Sequence, residues 1–439
     1  MIMTRTCTIF VDNSEKKQTV DGFGVNLNTK YWNGGELCPV VDQMIDELGA
    51  TLFRLDCFGK ADWVDPDGTG SEADLYGEGT ERAYASREFA DMCECSRHLN
   101  DRGIEPYVTV SGDAPAWMCA EDGHTLVRYD LYAEMAAEYA ARLRRAGIRF
   151  TLFGPFNECD LGSPEGVSLS YHEFVPACRA VLEALDRKGL TDVMLVLAEQ
   201  SGYDLFFLEE IVRDPVLCGR IAVSSMHIYC DGNVGKWCEY LQKNLPNARP
   251  WVTEFGTLEQ DAAMEQSYAW DCGERLFDVM RTGAGAALAW DAFDNYHDHD
   301  AMWTSFGLYQ NSRGMFLPRK RFYFCKQFFR YVRPGFSAIT ASASDKDVKV
   351  TAFSSPDGKE LTVVGMNTGN ETLRGVLNRE WYRGKEALGY LDYEVFLTDA
   401  DHDCARVTRH AVLVQNTACK GLDFTIPPHS MFTVTNVKE

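Results

Sequence analysis

The sequence predicts an α/β chain: a (β/α)8 barrel with an appended C-terminal all-β sandwich. Three observations predict it. Between about residue 20 and residue 335, eight short apolar, strand-like runs alternate with longer stretches of helical period. A glycine stands at six of the returns from helix to strand, and past residue 335 the hydrophobic period changes to two. Strands that are apolar on both faces and joined through helices require a parallel sheet covered by helices, and eight such units close a barrel. The rival is a doubly wound open sheet, which more often shows a glycine-rich nucleotide loop after its first strand. DGFGVNLNTKYWNGG lacks the GxGxxG spacing.

In chain order, TCTIFVD precedes the barrel, and the stretch 5–18 is a candidate to complete the second domain. The barrel is expected over residues 19–335. Its strands are read as GFGVNL, TLFRLD, PYVTVS, RFTLFGPFN, VMLVLAE, AVSSMHIY, PWVTEF and AALAWDAF. Between them, Phe174, Cys178, Val181 and Leu185 recur at three or four residues, as do Tyr268, Cys272, Leu276 and Met280, the spacing of a helix with one buried face. Gly49, Gly103, Gly147, Gly189, Gly219 and Gly283 are the six return glycines, expected in the left-handed conformation that ends helices. The helix-like RKRFYFCKQFFRYVRPG is stopped by Pro334 and Gly335. Alternation then takes over in DVKVTAF, KELTVVGMN, YEVFLTD and MFTVTNV, with a hairpin turn at Pro356, Asp357 and Gly358. Residues 336–439 are therefore read as a β-sandwich.

A chain of 439 residues that is 45% hydrophobic holds a full catalytic domain plus a smaller companion. No unbroken apolar run has membrane-spanning length. The N-terminal stretch lacks the apolar core of a secretory signal, because Asp12 and Asn13 end its short apolar run. The expectation is a cytoplasmic protein, or a secreted one if a leader has been removed. Fifteen cysteines, an odd number without repeated paired spacing, fit a reducing compartment. Cys93 and Cys95 fall in a helical stretch with no matching second pair, so no metal site is expected there. A net charge of −22 without clustered Lys and Arg argues against nucleic acid and anionic membranes, and leaves neutral partners such as sugars.

In a (β/α)8 barrel the working residues sit at the C-terminal strand ends. Here the second strand ends in Arg54 and Asp56, the fourth in Asn157 and Glu158, and the sixth in His227 and Tyr229. The seventh ends in Glu254 and the eighth in Trp290, Asp291 and Asp294. Two glutamates on strands four and seven face each other across the mouth, and glycoside hydrolysis needs two carboxyl groups flanking one bond. A retaining enzyme holds them about 5 to 5.5 Å apart. Arg54 beside Glu254 is expected to keep that carboxylate ionised as nucleophile, leaving Glu158 to carry the proton as acid. His227 and Tyr229 are read as site residues, with ordinary rim hydrogen bonding as the alternative. Trp117, Tyr296 and Trp303, on loops at the mouth, are candidates for further sugar subsites. DNYHDHD, from Asp294 to Asp300, is either a metal-binding stretch or a solvated loop. No metal or cofactor is expected, since two-carboxylate hydrolysis needs neither.

These residues match a family pattern. The sequence resembles the clan A glycoside hydrolases, and DGFG, APAWM, FCKQFFRYVRPG and IPPHSMFTVT look like glycoside hydrolase family 30 and its neighbours, over nearly the whole chain. The resemblance implies that Glu158 in the Asn157–Glu158 pair is the acid/base and Glu254 in WVTEFG the nucleophile. It further implies that Asn157 binds the 2-hydroxyl of the sugar and that Tyr229 holds one oxygen of Glu254. Arg54 and His227 then support the pair, and Trp290 offers its face to the sugar ring.

The function expected is that of a retaining, exo-acting β-glycosidase working on short oligosaccharides or small glycosides. The alternatives are a secreted endo-acting polysaccharide hydrolase of xylanase or glucanase type, a non-catalytic carbohydrate-binding barrel, and a metal-dependent hydrolase using the region from His297 to Asp300. The expected partner is a carbohydrate, and oligomeric state is left open.

Overall fold

The computed structural model describes residues 5–56, 63–230, 232–257, 262–295, 307–312, 315–380, 389–415 and 418–438. The first strand, β1 (Thr6–Thr19), lies outside the barrel. Eight parallel strands then close on themselves: β2 (Gly22–Asn28), β3 (Leu52–Asp56), β4 (Tyr107–Thr109), β5 (Leu152–Gly154), β6 (Met194–Gln200), β7 (Ile221–Ile228), β8 (Arg249–Phe255) and β9 (Ala286–Ala289). Closure is by β9 pairing back onto β2, with Gly22 opposite Ala286 and Val25 opposite Ala289. The chain is thus a (β/α)8 barrel. Each of the eight apolar runs supplies one of its strands because both faces are covered, outside by helices and inside by side chains of the other strands.

Helices coat the barrel with the faces that the sequence spacing marks. In helix Tyr171–Arg187, Phe174, Cys178, Val181 and Leu185 are all buried, and the Ser170–Glu173 capping box starts the helix. Gly49, Gly103, Gly147, Gly189 and Gly283 take φ between 78° and 121°, as a left-handed return requires. Gly219 does not. It stays right-handed at φ −78° after the single-turn helix Pro215–Cys218, where its N–H still reaches back to the Pro215 and Val216 carbonyls.

Three predicted barrel strands end early, PYVTVS among them, which gives only Tyr107–Thr109. RFTLFGPFN gives only Leu152–Gly154, since Pro155 has no N–H to continue the ladder. AALAWDAF divides into β9 and β10 (Phe293–Asn295), and β10 belongs to a separate three-stranded sheet with β11 (Tyr309–Ser312) and β12 (Met315–Pro318). Between them Ala292 N–H donates to the Asn26 carbonyl and Leu308 N–H to that of Asp291, which takes the chain off the barrel wall. Asp294 therefore does not end a barrel strand.

The second module is a ring of nine strands built from β1 with β13 (Ser337–Ala343), β14 (Val348–Ser354), β15 (Leu361–Asn367), β16 (Leu373–Glu380), β17 (Gly389–Thr398), β18 (Ala405–Gln415), β19 (Ala418–Ile426) and β20 (Ser430–Thr435). β1 runs antiparallel to β13 and parallel to β16. Helix Lys320–Phe329 joins the modules: Phe329 stacks on Phe23 of β2 at 5.0 Å, and Gln327 donates to the Thr398 hydroxyl on β17 at 2.7 Å. Among the described residues no helix is long and apolar enough to cross a membrane.

Candidate active site

Tyr107, Val196, Val223, Trp251, Ala286 and Leu288 form an apolar cluster drawn from barrel strands, and the Tyr107 ring lies 5.8 Å from the Arg54 guanidinium carbon. That cluster is the floor on which the polar groups stand. Arg54 on β3 is 3% exposed and spends all five of its N–H groups on neighbours. Nη1 donates to Glu254 Oε1 at 2.6 Å and to Asn26 Oδ1 at 2.9 Å. Nη2 donates to Asn157 Oδ1 at 2.6 Å, and Nη2 and Nε both donate to Glu199 Oε2, at 2.6 and 3.0 Å. One planar cation thus ties together β2, β6, β8 and the segment after β5.

The acid/base candidate sits beyond its ladder rather than in it. Glu158 is held by its own N–H donating to the Glu199 carbonyl at 2.9 Å, and it takes φ 41°. Ala198 and Glu199 on the adjoining strand also have positive φ, 75° and 47°. Conformations of this kind cost a residue with a β-carbon about 1–3 kcal/mol each, and they persist where surrounding contacts over-determine them. Register slips between Ala198 and Gln200, between Met226 and His227 and between Val252 and Phe255 re-aim the side chains at the same level of three strands.

His227 is wholly buried, with Nδ1 2.6 Å from Glu158 Oε1 and 3.4 Å from Glu254 Oε2. Tyr229 donates its hydroxyl to Glu254 Oε2. One side-chain atom each from Glu158, His227 and Glu254 lie within 4.8 Å of one another, so the two carboxyl groups converge. Asn157 is fixed at both ends of its amide, since Nδ2 donates to the Glu165 carbonyl at 3.0 Å. Gly166 lies so close that a β-carbon there would stand 1.7 Å from the Asn157 carbonyl oxygen.

The electrostatics differ from the expectation in one respect. Burial pushes the Glu254 carboxyl up; His227, Arg54 and the Tyr229 hydroxyl pull it down, the Glu158 charge pushes it up again, and the balance is upward. Arg54 does not hold Glu254 down alone, because its charge is shared with Glu199. Burial raises Glu199 as well, but Arg54, His227 and Thr253 outweigh this and hold it below the usual carboxylate range. Burial lowers His227, and the charges of Glu254, Glu158 and Glu199 more than reverse it.

The structure therefore brings together Arg54, Asn157, Glu158, His227, Tyr229 and Glu254. Trp290 follows β9 and is half-buried, with its carbonyl at the level of Gly256 and Tyr229. Trp117 is tied to Asp65 through its indole N–H at 3.1 Å, on the turn after β4. Tyr296, Trp303 and the stretch from Tyr296 to Asp300 lie outside the described residues. Sequence reasoning missed Glu199, Asn26 and Thr253. The signal for Glu199 was present, since VMLVLAE ends in a carboxylate as the fourth and seventh strands do. As a cation site the Glu158, His227 and Glu254 atoms fit poorly, because both Glu254 oxygens already accept from donors and the Arg54 guanidinium stands 2.6 Å away. Cys93 and Cys95 are buried in helix Arg87–Asp101, and burial pushes the Cys93 thiol up to about 11.

A barrel with a nine-stranded companion that includes the strand before it, and with acidic groups converging at the ends of its fourth and seventh strands, has the fold of glycoside hydrolase family 30 and its neighbours in clan A. Among solved structures it is similar to the family 30 subfamily 8 xylanase Xyn30A from Clostridium acetobutylicum. The TM-score is 0.75 at 18% identity, over 98% of this chain and 99% of that one. A GH30 endoxylanase from Clostridium papyrosolvens C71 superposes with TM-score 0.73 at 17% identity, over 98% and 99% of the two chains. The endo-beta1,6-glucanase BT3312 does so with TM-score 0.70 at 15% identity, over 98% and 94%. No protein-family profile and no curated protein matches the sequence.

Proposed function

We propose that the protein is a retaining O-glycoside hydrolase that works by double displacement through a glycosyl-enzyme on Glu254. The observation that carries this reading is the convergence of Glu158 and Glu254 on one atom, His227 Nδ1, at 2.6 and 3.4 Å. Carboxyl oxygens within 4.8 Å of each other support the retaining arrangement, with groups about 5 to 5.5 Å apart, over the inverting one, which spaces them about 6.5–9.5 Å apart to admit a water. Glu254 accepts from Arg54 and Tyr229, so its charge has donors waiting, and one of its oxygens attacks the anomeric carbon. Glu158 gives its proton to the departing glycosidic oxygen as that bond breaks. In the second half, Glu158 takes a proton from water, the water attacks the anomeric carbon, and Glu254 leaves with its electron pair. Asn157, fixed by Arg54 and the Glu165 carbonyl, keeps one amide N–H for the 2-hydroxyl, a contact that strengthens in the oxocarbenium-like transition state.

The substrate proposed is a short oligosaccharide or small β-glycoside attacked from its end. A second reading is endo-action on a polysaccharide, favoured by the endo-acting proteins among those of similar fold. Wild type and Glu254→Gln are assayed on a panel of aryl glycosides, and anomeric configuration is read by NMR during turnover. The expected result is a product that keeps the substrate's configuration, with turnover abolished and binding kept in the variant. Inverted product ends the double-displacement reading, and absence of wild-type turnover across the panel favours a binding barrel. Monosaccharide as first product from a labelled oligomer supports exo-action, and mid-chain cleavage supports the second reading.

A further inference from the structure

Glu199 is the third carboxylate of the cluster, and neither of the two chemical steps uses it. It is fully buried, 0% exposed, on β6 beneath the glutamate pair. Oε2 accepts twice from Arg54, and Oε1 accepts from the Thr253 hydroxyl on β8 at 2.5 Å. The same Oε1 faces His227 Nε2 at 4.0 Å, and that nitrogen has no hydrogen-bond partner although the ring is wholly buried. His227 thus stands between carboxylates on both edges, with Glu158 and Glu254 at Nδ1 and Glu199 at Nε2. Among the described residues, the ionisable groups that face this set are Arg54 from β3, Tyr107 from β4, Glu158 and Glu165 from the segment after β5, His227 and Tyr229 from β7, and Glu254 from β8.

Counting formal charges decides what Glu199 does. Arg54 and an imidazolium at His227 supply two positive charges, and Glu158, Glu199 and Glu254 supply three negative ones. The buried set is neutral when it carries one further proton. Without Glu199 the two cations match two carboxylates, and no proton is left for the acid. We propose that Glu199 is a positioning residue which sets the protonation of the catalytic pair, cancelling the Arg54 charge and holding His227 as imidazolium so that one proton stays on the pair for Glu158 to deliver. The inference rests on the reading of Glu158 as acid/base and Glu254 as nucleophile. Its cationic neighbours support it: His227 is held above its ordinary value by the three glutamates once burial is overcome.

The test is the pH dependence of kcat/KM on an aryl glycoside for wild type, Glu199→Gln and Glu199→Asp. Removing one negative charge at this range eases ionisation of the remaining carboxyl groups, so both limbs of the Gln profile are expected about one pH unit or more lower. The Asp variant keeps the charge and is expected to keep the wild-type limbs at a reduced kcat. A Gln variant that loses rate at every pH with its limbs unmoved overturns the proposal, as does an Asp variant shifted as far as Gln. A readout that needs neither turnover nor the folding of a Glu199 variant is the His227 ring in [15N]histidine-labelled wild type, assigned by loss of its signals in His227→Asn. Protons on both ring nitrogens at pH 7.5 support the proposal, and a neutral ring overturns it. If wild type turns over none of the aryl glycosides, the glycosidase reading falls, while the histidine spectrum still decides the charge arrangement.

Discussion

Replacing Arg54 by Lys separates charge from geometry. The guanidinium makes five hydrogen bonds of 3.0 Å or shorter, to Glu254, Asn26, Asn157 and, twice, Glu199. An ammonium has three donors on a single atom, so at least two of the five are lost even with ideal placement. Hydrogen bonds to charged groups contribute about 1.5–3 kcal/mol each, so losing two costs about 3–6 kcal/mol, and the retained positive charge pulls the expected loss to about 3 kcal/mol. Arg54→Met also removes the charge and leaves Glu199 and Glu254 buried without their cation, a change that costs about 3–5 kcal/mol or more. Stability is read from urea unfolding followed by tryptophan fluorescence at pH 7, and kcat/KM from an aryl glycoside. Because the same bonds orient Glu254 and Asn157, a loss of about 3 kcal/mol in transition-state binding lowers kcat/KM by about two orders of magnitude. A Lys variant within about 1 kcal/mol of wild type and with nearly unchanged kcat/KM refutes the reasoning, since Arg54 would then act as a point charge only.

Two further predictions concern the same cluster. Gly166→Ala places a β-carbon 1.7 Å from the Asn157 carbonyl oxygen, so the backbone carrying Asn157 and Glu158 must move. A fall in kcat at least tenfold is expected, with a lowered thermal midpoint, and wild-type values for both would show that the segment yields at no cost. The pH dependence of stability has opposite signs at two residues. Glu199 lies below its unfolded value of 4.5, so its contribution is complete above that pH and is lost as pH falls through the folded value. His227 lies above its unfolded value of 6.5, so its contribution is complete below that pH and is lost as pH rises through the folded value. Urea unfolding across pH 3–9 should therefore show an acid limb in wild type that flattens in Glu199→Gln, and a decline above pH 6.5 that disappears in His227→Gln. Parallel curves for wild type and variants would contradict both assignments.

Much of this architecture was legible because a buried parallel strand leaves a plain trace. VMLVLAE is apolar until its final glutamate, and AVSSMHIY keeps apolar residues among its buried Ser224, Ser225 and His227; each became a barrel strand. What was not legible came from backbone geometry that side-chain type does not encode. The run RFTLFGPFN looks continuous, yet Pro155 ends its ladder and Glu158 reaches the site through a left-handed turn bonded to the neighbouring strand. AALAWDAF reads as one strand because Asp291 is the single polar residue in it, while the hydrogen bonding changes sheets between Ala289 and Phe293. Glu199 was overlooked for a different reason: a single sequence shows a carboxylate at a strand end but not that one arginine reaches it and Glu254 together. Pairings of that kind depend on bulges in β6, β7 and β8, and a bulge has no spacing signature.

The placement of β1 has a mechanical consequence. The polypeptide crosses between the two modules at two points, once between β1 and β2 and once after helix Lys320–Phe329. Cutting the backbone at either crossing alone frees neither module, because β1 remains laced between β13 and β16 while the barrel side stays gripped through Phe23 and Phe329. The pair therefore behaves as a riveted joint rather than a hinge, and any force applied to the outer module is passed to β2, the strand whose Asn26 touches Arg54.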